Sequence, residues 1–136
     1  MSATFEIRKR ETEGIAILDL KGRLVVGEGA GKLRERMSSE TAGGERRIVL
    51  NLSELDYIDS TGLGTLVICF TSLQKVGGAM KLTRLNRRNI ELLLLTKLST
   101  IFEIFPDEQS AINSFFPERE IKRFDILSFV QQHKED

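Results

Sequence analysis

The sequence predicts one α/β domain: a mixed sheet whose later strands are parallel and joined by crossover helices, followed by a C-terminal helical extension. Three observations carry this expectation. Residues Phe5 to Leu20 alternate as a hairpin does, and from Ile48 onward short apolar runs alternate with stretches of helical spacing. After Pro117 a charged segment still carries large apolar residues.

Phe5 and Ile7 alternate with Glu6 and Arg8, and Ile15, Ile17 and Leu20 follow across Glu13-Gly14, which predicts two strands around a turn. Gly22 breaks that pattern, and Ala30, Leu33 and Met37 mark one face of a helix ending before Gly43-Gly44. Ile48-Val49-Leu50-Asn51-Leu52 reads as a strand buried on both faces. Leu63, Leu66, Val67, Phe70 and Leu73 then recur at helical spacing until Gly77-Gly78. A short strand is expected around Met80-Lys81-Leu82, and Asn86 is placed to cap a helix carrying Ile90, Leu93, Leu94 and Leu98. Phe102 to Phe105 reads as the last strand, ended by Pro106, with Asp107 capping a helix that buries Ala111, Ile112 and Phe115. The boundary falls at Pro117, giving a domain over 1–116 and an amphipathic helical extension over 117–136. Ile121, Phe124, Leu127 and Val130 in that extension predict docking, on the domain itself or on a second copy as a symmetric dimer.

Composition narrows the function. A chain of 136 residues with 40% apolar content builds one core and is short for two. Its 20 basic and 20 acidic residues cancel, so no global field draws it to nucleic acid or an anionic membrane. Apolar stretches fall short of the roughly 20 residues a spanning helix needs, and Met1-Ser2-Ala3-Thr4 does not begin a signal peptide. The expected location is the cytoplasm. Cys69 is the only cysteine and His133 the only histidine, which argues against a disulfide and against a zinc site. No cofactor or metal is expected.

The chemistry concentrates in Ile58-Asp59-Ser60-Thr61-Gly62-Leu63-Gly64, where an apolar run gives way to a helix. Ser60 is predicted at or beside the helix N-cap, where first-turn amides and the positive end of the dipole favour a phosphate. Capping alone would also explain Asp, Ser and Thr here. Gly62 and Gly64 in the first turn each cost about 1 kcal/mol against alanine, which suggests a local requirement for both.

The run from Asn51 to Gly64 resembles the signature of STAS domains, and within them the bacterial anti-sigma factor antagonists. The resemblance spans roughly residues 5 to 116, on the scale of one compact unit, and is sharpest from Asp59 to Gly64. It implies a STAS-type fold and a phosphate acceptor at Ser60, directly after Asp59, with Thr61 the weaker candidate. It implies that the unphosphorylated protein binds an anti-sigma factor that is itself a serine kinase, through Asp59, Ser60, Thr61, Gly62, Leu63 and Gly64, and so frees a sigma factor. A metal-dependent serine phosphatase would reverse the modification. ATP and magnesium belong to the kinase, and the chain is no enzyme. A departure occurs after the second strand: many of these antagonists reach a polar, often acidic residue, whereas Gly22-Arg23-Leu24 here runs into Val25-Val26-Gly27. The alternative of another class is an adaptor subunit of a membrane transport complex.

Other motifs fail on spacing. Gly27-Glu28-Gly29-Ala30-Gly31-Lys32 has Val26 and Leu33 where a phosphate loop needs glycine and a hydroxyl, and its dinucleotide-type third glycine would fall on Lys32. An aspartic protease turn is broken by Thr61, and a serine hydrolase would have only His133 as base. Arg84, Arg87 and Arg88 read as a solvated basic turn, and Cys69 as a small buried hydrophobe.

Overall fold

The computed structural model describes residues 5–120 and 124–133. β1 (Phe5–Thr12) and β2 (Ile15–Leu24) form an antiparallel hairpin whose turn residues Glu13 and Gly14 both take positive φ, 55° and 80°. Such a turn twists as its flanking strands do. The chain then alternates α1 (Glu28–Ala42), β3 (Arg47–Ile58), α2 (Ser60–Lys75), β4 (Ala79–Thr83), α3 (Arg87–Leu95) and β5 (Glu103–Phe105). The sheet runs β1-β2-β3-β4-β5, and every pair after the hairpin is parallel. The predicted fold class is the observed one.

Two faces share the core because side chains alternate along each strand. Leu18, Leu20, Ile48, Leu50, Leu52, Met80 and Leu82 meet Leu33 and Met37 of α1, Leu66 and Leu73 of α2, and Leu93 of α3. On the other face Ile15, Ile17, Val49 and Phe105 are covered by Ala111 and Ile112 of α4 (Glu108–Asn113), with Phe115 and Phe116 alongside. Each fully buried aliphatic side chain contributes about 1.5 to 3 kcal/mol. Arg10 fastens this second layer: its guanidinium bonds both oxygens of Asp19 at 2.7 and 2.8 Å and also grips Glu108 of α4.

Several boundaries differ from expectation. β2 continues through Gly22, whose φ of 102° sits at a register shift against β3, so this glycine marks a bulge and not an end. β3 runs six residues past Leu52, to Ile58, because Leu55 and Ile58 turn inward while Ser53, Glu54, Asp56 and Tyr57 face solvent. α3 ends at Leu95, leaving Leu98 in a short 3-10 turn, and Phe115 lies beyond α4.

The extension also differs. Among the described residues of that segment only Ile126–His133 is helical, as α5, and Ile121 lies outside the described residues. Phe124 packs against the main cluster and its amide donates to the Ile104 carbonyl at 3.0 Å, alongside β5. Phe129 meets Phe124 in a tilted ring pair with centroids 5.7 Å apart, whereas Leu127 and Val130 are 76% and 43% exposed. The inward residues are thus Phe124 and Phe129, since the helix begins late and Leu127 and Val130 fall on its outer side.

Candidate phosphoacceptor site at the start of α2

Asp59, and not Ser60, caps α2. Its backbone is extended (φ −93°, ψ −178°), so its Oδ1 accepts from the Gly62 amide at 2.7 Å while Oδ2 accepts from the Val26 amide at 2.9 Å. One carboxylate therefore ties the helix start to the loop after β2. The Val26 amide, then that of Gly62, hold the Asp59 carboxyl below the usual carboxylate range.

Ser60 follows as the first helical residue and is exposed, as is Thr61. Because Asp59 does the capping, the Ser60 hydroxyl is not spent on the helix. The amides available to a phosphate are fewer than the sequence suggests: that of Gly62 serves Asp59 Oδ1, and that of Leu63 serves the Asp59 carbonyl at 2.9 Å. The helix dipole remains.

The two first-turn glycines separate in role. A Cβ on Gly62 would lie 2.0 Å from the Leu24 carbonyl oxygen, which also accepts from the Asp59 amide at 3.2 Å. The helix start is pressed onto the end of β2, backbone to backbone. A Cβ on Gly64 would meet nothing within 4 Å, so the requirement expected for both glycines holds inside this chain for Gly62 alone.

Of the six motif residues, Gly62 and Leu63 are buried, Asp59 and Gly64 half-buried, and Ser60 and Thr61 outward. Sequence reasoning did not bring Val26 and Tyr57 to this end of the sheet. Val26 is 67% exposed, and Tyr57 carries the Arg23 guanidinium 5.3 Å from its ring centroid. The Val25-Val26 pair before Gly27 was the available signal, but only the register joining Leu24 to Ile58 shows where it lands.

The remaining candidates have structural roles. Arg87 pairs with Glu91 at 3.0 Å one helical turn on, and Arg84 occupies a left-handed turn position at φ 60°. Asn86 caps α3 through the Asn89 amide, and both asparagine side chains donate to the Leu55 carbonyl. Burial pushes the Cys69 thiol up to about 11, as fits a small hydrophobe. Among the described residues no group of three or more His, Cys, Asp or Glu side chains could hold a metal ion, and no helix is long and apolar enough to cross a membrane.

The STAS domain profile matches residues 6–111. BtrV of Bordetella bronchiseptica, provisionally named an anti-sigma factor antagonist, is 30% identical over 76% of this chain and 88% of its own length. The anti-sigma-B factor antagonist of Listeria monocytogenes is 33% identical over 76% of this chain and 90% of its own. A Thermotoga maritima crystal structure, likewise provisionally named an anti-sigma factor antagonist, superposes with a TM-score of 0.74 at 27% identity, covering 79% of this chain and 92% of that one.

Proposed function

The chain belongs to the STAS domain family, and from that premise we propose that it is an anti-sigma factor antagonist switched by phosphorylation of Ser60. Unmodified, it binds an anti-sigma factor of the serine-kinase type and frees a sigma factor. The kinase carries ATP and magnesium: the Ser60 oxygen attacks the γ-phosphorus, the bond to the β-phosphate oxygen breaks, ADP leaves, and the serine proton passes to a base of the kinase. A metal-dependent phosphatase restores the hydroxyl. This chain supplies the acceptor and the docking surface, in the cytoplasm, and no catalytic group.

The observation that carries this reading is the exposed Ser60 at the head of α2, relieved of capping by Asp59. Phosphate adds about −1.5 to −2 charge beside a carboxylate already held ionised by two amides. The surface becomes strongly negative with no need to refold the domain. A partner that packs closely there, or presents its own acidic groups, loses affinity.

Incubation with ATP and the purified kinase that retains the unmodified chain, followed by fragment mass mapping, tests the reading. Phosphate at Ser60, and release of the complex as it accumulates, is expected. Phosphate confined to Thr61, or none on the chain with an active kinase, overturns it.

A further inference from the structure

Stable protein interfaces bury roughly 800 Å² on each partner, more than the outward parts of Asp59 to Gly64 can offer when Gly62 and Leu63 are buried. A protein seated on Ser60 must continue along a neighbouring surface. Ser60, Gly64 and Ile68 stand four residues apart on α2, so they form one line about 12 Å long down the helix. Ile68 ends that line 49% exposed, an aliphatic side chain with its tip in water.

There a groove of about 390 Å³ opens between α1 and α2, lined by Arg34, Met37, Ser38, Ile68, Cys69 and Ser72 among others. Its floor is apolar, and Arg34 forms no ion pair with any described residue. Towards Ser60 both walls are bare. Gly31 precedes Arg34 and Ser38 on one face of α1, Gly64 precedes Ile68 on α2, and a Cβ on either glycine would meet nothing within 4 Å.

We propose that the α1–α2 groove is the second half of the docking surface for the protein that engages Ser60. It receives a segment of that same partner, with an aliphatic side chain against Met37, Ile68 and Cys69 and a carboxylate against Arg34. The inference rests on the Ser60 reading. It adds a contact whose chemistry is apolar and cationic, about 12 Å from Ser60 along α2, which strengthens the hold of the partner on the unmodified chain.

Site-specific photo-cross-linking of the full chain tests it, with a benzophenone side chain placed at Thr61, at Ile68, or at Arg8 on β1 as the control. The probe is the purified anti-sigma kinase that retains the unmodified chain. Cross-links to it from 61 and 68 and none from 8 are expected. Arg34→Glu and Ile68→Glu should each weaken its binding at least tenfold with thermal unfolding unchanged, both positions being solvent-accessible. A cross-link from 61 without one from 68 overturns the groove and leaves the Ser60 reading standing. Capture of a second copy or of another protein from 68 also overturns the groove. No cross-link from either position to a kinase that binds the chain overturns both readings.

Discussion

Asp59 reaches a residue 33 positions back in the chain, because one of its oxygens serves Val26 while the other serves Gly62. The helix start is legible in sequence, since Asp, Ser and Thr all favour a cap there, but the extended backbone of Asp59 is what gives it, and not Ser60, the first-turn bond. The bond to Val26 is not legible, because it depends on parallel pairing of Leu24 with Ile58. The carboxyl is depressed in the folded protein, so its contribution is fully present above the ordinary carboxylate value near ~3.9 and is lost as pH falls through the lower folded value. Asp59→Ala should therefore cost about 1 kcal/mol near neutrality, the usual worth of a cap. Urea unfolding at pH 7 and again near pH 3 should show the difference from the parent shrinking. The glycines give a sharper contrast. Gly62→Ala forces a carbon against the Leu24 carbonyl and should destabilise by about 1 to 3 kcal/mol, whereas Gly64→Ala should be neutral or stabilise by up to about 1 kcal/mol. At the proposed acceptor, Ser60→Ala should keep partner binding and abolish the switch, and Ser60→Asp should weaken binding, both read by titration calorimetry.

Among the elements, those with a strong period were visible before the structure. α1 and α2 carry their core residues at helical spacing, and Asn86 and Asp107 cap the helices they were expected to cap. The ends were less visible for a physical reason. β2 passes Gly22 and β3 passes Leu52 because each finds a partner strand there, a property of pairing that no local run of residues encodes. The late start of α5 is of the same kind, since Phe124 spends its amide on Ile104 before the helix begins. A phosphate at the head of α2 adds charge where the dipole favours it and should leave these pairings untouched. Amide exchange before and after phosphorylation should change only around residues 56 to 66. Loss of protection across Ile48 to Leu52 would mean that the modification unfolds the sheet.

At the scale of the whole molecule, the hairpin and α4 depend on one another through Arg10, which grips Asp19 and Glu108, and through Arg119, which meets Glu13 at 2.7 Å. The last of the described chain matters in a different way. β5 is the final strand of the sheet, and Phe124 occupies the Ile104 carbonyl on its outer side while its ring covers the adjoining core. An uncovered strand of that kind is a template for another chain. Phe124 thus covers part of the β5 edge, and a role in limiting edge-to-edge association is the expectation that truncation tests. Cut before Pro117, the protein should still fold but scatter light increasingly with concentration and over hours, while the full chain stays clear; equal clarity of the two would show that β5 protects itself. Colloidal shelf life, a property selected at cellular concentrations and invisible in any binding assay, would then trace to a single backbone amide and one phenyl ring.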